Sequence, residues 1–296
     1  MSARLLLLCP GQGGQHAGMF DLVRSHPGAA ALIPSAGTES ALFTNRSAQP
    51  LIVAATLAMW EALRAAAPAP ALVAGYSIGE LAAWSVAGAI GPADAIALAH
   101  TRAALMDASL SQYPGQALLA VTGLPQPLAA ACATQAGFHV AIATGEDSCI
   151  IGGLAAQAGA TEATLAAKGA RVTRLPVEIA SHTPFMAGAV APFAAALRAA
   201  PTRAPAIPVL SGISAARLDS GELAAEHLSR QLSEKIVWDE CMDACAEAGI
   251  TTALELGPGA ALSRMLQARH PGIACRSVAD FRSLDGIQAW LQRQAA

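Results

Sequence analysis

The stretch Ala71-Leu72-Val73-Ala74-Gly75-Tyr76-Ser77-Ile78-Gly79-Glu80-Leu81-Ala82-Ala83-Trp84 changes rhythm at its centre. Ala71 to Tyr76 has the short apolar run of a buried strand, and the segment from Ser77 through Ala87 has the spacing of a helix. The junction matches G-x-S-x-G, a sharp strand-to-helix turn that pushes a serine hydroxyl out to where a substrate can reach it. Glycine on both flanks relieves the crowding of such a corner. A tight structural turn is the alternative reading of the same five residues.

Upstream, the apolar run Leu5 to Cys9 ends in Pro10-Gly11-Gln12-Gly13-Gly14-Gln15, the pattern of a buried strand followed by a close-approaching loop. A dinucleotide fingerprint fails on spacing, because counting from Gly11 places His16 where the third glycine belongs. Nor does Met1 to Cys9 read as a lipoprotein leader, since Pro10-Gly11 ends its apolar core too early. Helical periodicity covers Ala48 to Ala67, and Pro92 opens a helix to about Leu110 that carries Arg102.

Downstream, strand patterns at Ala117 to Thr122, His139 to Thr144, Cys149 to Ile151 and Arg171 to Val177 alternate with helices at Pro125 to Gln135 and Ala155 to Lys168. That βαββαβ order is the signature of a ferredoxin-like module. Helix and strand alternation then resumes: a helix near Pro184 to Ala199, a strand at Val209 to Gly212, helices at Gly221 to Leu232 and Asp239 to Ala248, and a strand at Thr251 to Leu256. Helices close the chain after Gly257-Pro258-Gly259. The expected fold is α/β: a discontinuous hydrolase-like large domain, residues 1–111 and 178–296, with a ferredoxin-like subdomain inserted at 112–177.

Composition narrows the function. The 296 residues carry a net charge of -3 with both signs scattered, which offers no footprint for nucleic acid or an anionic membrane. Apolar runs are all broken before membrane-spanning length, as Glu80 breaks the run from Leu72 to Ile90. Six cysteines include no C-x-x-C pair and no metal-like cluster, as expected for reduced thiols in a cytoplasmic protein that binds no metal. Cys241 and Cys245 share a helix face, as packing residues.

An activated serine needs a base. Of seven histidines, His182 in Ile179-Ala180-Ser181-His182-Thr183-Pro184 lies in a loop before a helix, where a side chain can face a cleft. The acid of a conventional triad is missing nearby, apart from Glu178. A dyad suffices if a main-chain carbonyl orients the imidazole tautomer.

Five motifs in order, Gly11-Gln12-Gly13-Gly14-Gln15, Gly75-Tyr76-Ser77-Ile78-Gly79-Glu80, Ser181-His182, Gln231-Leu232 and Glu255-Leu256-Gly257-Pro258-Gly259, resemble those of the malonyl-CoA:acyl carrier protein transacylase family. The resemblance runs the length of the chain and implies transfer of a malonyl group from malonyl-CoA to an acyl carrier protein through a serine ester. It implies Ser77 as nucleophile, His182 as base and Gln231 as the residue whose carbonyl orients that base. The backbone amides of Gln12 and Ile78 would form the oxyanion hole. Arg102, 25 residues after Ser77, falls where the family places the arginine that pairs with the malonyl carboxylate, and its planar fork suits a carboxylate. No bound cofactor is implied; the enzyme would act on a coenzyme A thioester and the phosphopantetheine-type arm of the carrier.

Three departures stand out. Tyr76 and Gly14 occupy positions where most relatives carry His and Ser, and Ala143-Thr144-Gly145-Glu146 replaces an asparagine-rich stretch. Tyr76 either lines the acyl pocket, the preferred reading, or packs beneath the elbow. The run Gly75 to Trp84 is especially similar to the transacylase (epsilon) subunit of bacterial malonate decarboxylase, which implies that system's carrier as acceptor and its other subunits as partners. A fatty-acid or polyketide transacylase, a serine hydrolase and a non-catalytic docking subunit are the alternatives.

Overall fold

In the computed structural model, which describes residues 4–34 and 42–295, the run Leu5–Cys9 forms strand β1 at the heart of a parallel sheet. Residues 1–3, the start of the leader-like stretch, lie outside the described residues. β1 shows no polar alternation because both of its faces are covered. Leu5, Leu7 and Cys9 enter one core cluster and Leu6 and Leu8 enter the other.

In chain order follow α1 (Pro27–Ala30), α2 (Asn45–Leu63), β2 (Pro70–Gly75), α3 (Ile78–Val86) and α4 (Pro92–Gln112). The next block is β3 (Gln116–Thr122), α5 (Gln126–Gln135), β4 (His139–Gly145), β5 (Ser148–Leu154), α6 (Ala155–Ala166) and β6 (Arg171–Arg174). A 3-10 turn (Pro184–Met186) leads into α7 (Ala187–Ala199), then β7 (Val209–Leu210), β8 (Arg217–Leu218), α8 (Gly221–Arg230), β9 (Ile236–Val237) and α9 (Trp238–Glu247). β10 (Thr252–Glu255), α10 (Ala261–Arg269), β11 (Ala274–Ser277) and α11 (Leu284–Ala295) complete the chain. Among the described residues no helix is long and apolar enough to cross a membrane.

The main sheet has the order β11-β10-β1-β2-β7-β8, parallel except for the antiparallel β7–β8 pair. Helices cover both faces, with α2, α3, α4 and α7 on one and α9 and α10 on the other. The expectation of helices alone at the end of the chain needs correcting, because β11 lies between α10 and α11. Its residues Ala-Cys-Arg are only partly buried at the sheet edge and the buried Ser277 is polar, so the strand lacks the apolar run that marks an interior one. The helix expected over Ala48 to Ala67 begins and ends earlier, at Asn45 and Leu63.

The second sheet has the order β6-β3-β5-β4-β9. Its first four strands pair antiparallel, while β9, arriving from well beyond that block, pairs parallel to β4 through Ile142–Ile236 and Ala143–Val237. Alternation along β3 sends Leu119 and Val121 toward α5 and α6 and Leu118 toward Ile142, Trp238 and the main sheet. The two-residue strand β9 is too short to leave a periodic signature.

Close approach fixes two glycines at the β2–α3 corner. A side chain at Gly75 would strike the main chain of Gly79 and Glu80, and one at Gly79 would strike the carbonyls of Cys9 and Pro10. The first glycine-rich loop is wedged too: at Gly11 a methyl group would sit 2.9 Å from the Tyr76 carbonyl oxygen, and at Gly14 it would collide with Pro258. In the Glu255 to Gly259 motif, Glu255 accepts a hydrogen bond from Ser263 N at 2.8 Å in the first turn of α10, while Gly257 admits Pro10. The elbow is thus clamped between β1, its following loop and the loop after β10. We expect Gly79→Ala to cost at least about 1–3 kcal/mol, because backbone rather than a flexible side chain must give way. Urea denaturation checks this, and an unchanged midpoint would contradict the clamp.

Candidate active site

Ser77 follows β2 directly and adopts φ 56° and ψ -118°, one of three non-glycine residues with positive φ among the described residues. That strained conformation at the N-cap of α3 turns the hydroxyl away from the helix. Ser77 Oγ lies 2.8 Å from His182 Nε2.

His182 also has positive φ, 63°, and is buried. Two bonds to one segment hold it: its main-chain N–H donates to the Leu232 carbonyl at 2.8 Å, and its Nδ1 lies 2.6 Å from the Gln231 carbonyl oxygen. A carbonyl only accepts, so Nδ1 carries the proton and Nε2 is left with its lone pair facing the serine O–H. The loop is braced by Gln116 in β3, whose Oε1 accepts from Ala180 N at 2.7 Å, and by Thr183, whose hydroxyl donates to the Ala180 carbonyl. Burial, reinforced by the neighbouring Arg102 cation and partly opposed by the Gln231 hydrogen bond, pushes the imidazole down to about 3. His182 is therefore neutral and able to accept a proton throughout the neutral range. Gln231, not Glu178, fills the third position; Glu178 instead lines a neighbouring cleft.

Arg102, on α4, is also buried. Its Nη1 donates to Gln49 Oε1 at 2.6 Å and lies 3.3 Å from Met106 Sδ, while its Nη2 is 3.4 Å from Gln231 Oε1. These partners are all neutral. Burial lowers the guanidinium to about 10, offset by the field of Glu80, so it keeps its charge at neutral pH. A buried cation whose bonded partners among the described residues are uncharged is suited to an incoming anion.

The remaining expected residues gather around the same corner. Ile78 opens α3; the amides of Gly79 and Glu80 donate to the Tyr76 and Ser77 carbonyls at 2.9 and 3.0 Å, while that of Ile78 stands at the first helical position, where the helix supplies no acceptor. Gln12 follows Gly11, where any side chain would meet Tyr76 and Ser77, and its own side chain reaches Asn45 Oδ1 at 3.5 Å. Tyr76 packs edge-on against Trp238 with ring centroids 5.2 Å apart, an arrangement that favours the packing reading over the preferred pocket-lining one. Beside Gln12 opens a cleft of about 1030 Å³, walled by Asn45, Arg46 and Asp107 on one side and Arg174 and Glu178 on the other.

Two residues of the site have no role in the sequence reading, although Glu80 closes the second motif. Gln49 fixes Arg102, and its own Nε2 donates to Asn45 Oδ1 at 2.6 Å. Glu80, in the first turn of α3, is buried with Oε2 accepting from Gly212 N at 2.8 Å and Gln231 Nε2 at 2.5 Å. Both are polar residues inside apolar helical runs, and that mismatch is the signal that marks them.

A serine on a strained corner, a neutral base and adjacent backbone amides are equipped for acyl transfer through an ester intermediate. Comparison with known proteins agrees. A family model described as "Acyl transferase domain" matches residues 36–280. The malonyl CoA-acyl carrier protein transacylase of Mycobacterium bovis is 33% identical over 301 residues, covering 96% of this chain and 99% of that protein. The Escherichia coli K12 enzyme of the same name is 30% identical over 275 residues, covering 86% of this chain and 89% of that one. The crystal structure of malonyl-CoA:acyl carrier protein transacylase from Xanthomonas oryzae pv. oryzae superposes with a TM-score of 0.90 at 29% identity over the whole of both chains.

Ser77 Oγ is the hydroxyl that the geometry sets against a base, and its reactivity can be tested without an acyl donor. A fluorophosphonate probe should label the wild-type chain, fail on Ser77→Ala, and label His182→Ala about 10²–10⁴-fold more slowly, as loss of a general base requires. Intact-protein mass spectrometry reads all three, and equal labelling of Ser77→Ala would place the nucleophile elsewhere.

Proposed function

This chain belongs to the acyl transferase family and is an acyltransferase, and on that footing we propose that it moves a malonyl group from malonyl-CoA to the thiol of an acyl carrier protein. The observation that carries the choice of acyl group is Arg102, a buried cation with neutral partners that shares Gln231 with the His182 base. A malonyl thioester brings the carboxylate this cation lacks, and a bidentate pair with the guanidinium would orient its carbonyl over Ser77.

In the first half-reaction His182 Nε2 takes the Ser77 proton as Oγ bonds to the thioester carbon. The amides of Ile78 and Gln12 stabilise the oxyanion, with a contribution of about 2.7–4 kcal/mol for each such donor. The C–S bond then breaks, His182 returns its proton to the departing sulfur, and coenzyme A leaves. In the second, the carrier's phosphopantetheine-type thiol gives its proton to His182 and attacks the malonyl ester. Ser77 leaves with that proton, and both residues return to their starting state. All of these transfers use the chain's own groups and require no bound cofactor.

The similar proteins are named as transacylases of an acyl carrier protein, which favours such a protein as acceptor. The carrier subunit of malonate decarboxylase is a second reading, which rests on the run Gly75 to Trp84 with its tyrosine before the nucleophile. Presenting both carriers to the purified enzyme separates the two: the true acceptor should gain malonyl with the higher kcat/KM. We also read the fold in finer terms, as a hydrolase-like domain carrying a ferredoxin-like subdomain at 112–177, supported by the β6-β3-β5-β4 order of antiparallel strands.

Arg102→Ala should lower the malonyl-to-acetyl ratio of kcat/KM on the order of a hundredfold or more, because loss of a buried charged partner costs about 2–5 kcal/mol for the carboxylate and nothing for a methyl group. Arg102→Lys keeps the charge without the fork and should recover only part of that ratio. A parallel fall for both substrates would mean that another group holds the carboxylate.

A further inference from the structure

Glu80 is three residues past the nucleophile and buried, yet the transfer just described gives it no task. One of its oxygens, Oε2, accepts two hydrogen bonds, and the other, Oε1, has no partner among the described residues. A buried carboxylate left half-satisfied is costly unless its surroundings need the charge.

The partner at 2.5 Å is the side-chain amide of Gln231, whose main-chain carbonyl holds His182 Nδ1. The same amide's oxygen faces Arg102 at 3.4 Å, so Gln231 bridges an anion on α3 and a cation on α4. The second donor, Gly212 N, belongs to the loop after β7, and the Gly212 carbonyl accepts from Val237 N of β9. Glu80 thus joins the helix that carries the nucleophile to the segment that holds the base on both sides of Gln231.

From this linkage, and resting on the malonyl transfer proposed above, we infer that Glu80 is a positioning residue for the reaction: as a carboxylate it anchors Gln231 and so fixes the carbonyl that orients His182. It is the acid of the site at one remove. A direct carboxylate on Nδ1 would raise the imidazole's affinity for protons. Acting through a neutral amide, the same charge aligns the base and leaves it neutral, and the Arg102 field is counterbalanced without a direct ion pair.

The groups facing Glu80 are Arg102 from α4 and Cys241 from α9, with His182 beyond Gln231. Burial raises the Glu80 carboxyl to about 7, against the opposing pull of Gly212, Gln231 and Arg102. The Cys241 thiol is pushed well up, Arg102 stays charged and His182 stays neutral, so around neutrality Glu80 is the group among these that changes charge. The sign follows: as pH falls through about 7 the carboxyl gains a proton, becomes a poorer acceptor for Gln231 and holds the base less firmly.

The test is the rate and end-point of Ser77 acylation by malonyl-CoA, read by rapid quench and intact mass between about pH 5 and 9, for wild type, Glu80→Ala and Glu80→Gln. Glu80→Ala should acylate on the order of tenfold to a hundredfold more slowly while still reaching the wild-type stoichiometry, which a partly unfolded population would not do. Glu80→Gln keeps the shape and an accepting oxygen but cannot ionise, so it should lose the limb near pH 7 that wild type shows. If Glu80→Ala does not fold, the Glu80→Gln profile decides alone. Wild-type rates in Glu80→Ala, or an unchanged limb in Glu80→Gln, would overturn the role of Glu80 and leave the malonyl reading standing. A wild-type chain that takes up no malonyl group would overturn both.

Discussion

The hydrogen bond from His182 Nδ1 to the Gln231 carbonyl, 2.6 Å long, is the constraint on which the site depends. It fixes the tautomer and the ring plane, and it does so with a dipole where a conventional triad would use a charge. Burial first, and then the neighbouring Arg102 cation with no ion-paired carboxylate to offset it, keeps the proton affinity of the imidazole low. Such a base does not store a proton between steps. In the proposed transfer it passes the proton on, to the departing sulfur in one half-reaction and to Ser77 in the other.

Electrostatic balance follows from the same arrangement. Arg102, Glu80 and His182 are all buried, and two neutral glutamines, Gln49 and Gln231, stand against the guanidinium. Amides screen little and donate or accept as needed, so they hold the cation in place without neutralising it. With Glu80 ionised the region balances as a whole, yet no anion bonds the guanidinium directly, and that is the place a substrate carboxylate can take.

Much of this was legible in the sequence where chemistry and local geometry coincide. The strand-to-helix corner at Ser77 announces itself because Gly75 and Gly79 are sterically compelled there. His182 and Gln231 are 49 residues apart, and their union through a main-chain atom leaves no residue-type signal at all; family resemblance alone named the pair. Glu80 was visible as the charge that interrupts an apolar run, but its role is set by Gln231, 151 positions away. Tyr76 is amphipathic enough to suit a pocket wall, and its packing partner Trp238 is tied to it by no local pattern in the sequence. Strands β8, β9 and β11 escaped notice because two to four residues at or near sheet edges carry too little periodicity.

Strand β9 has a mechanical consequence. Ile236 and Val237 zip onto β4, and only four residues separate Ile236 from Gln231, which grips the base. The smaller sheet therefore cannot swing away from the larger one as a free flap: any such rotation either unzips a two-residue ladder or tugs on the lever that aims His182. Cleft width and base alignment are geared together. Under the proposed transfer, passage of a bulky carrier arm then falls to side chains and loops at the rim, and a substrate that wedges the sheets apart would disarm the very histidine it needs.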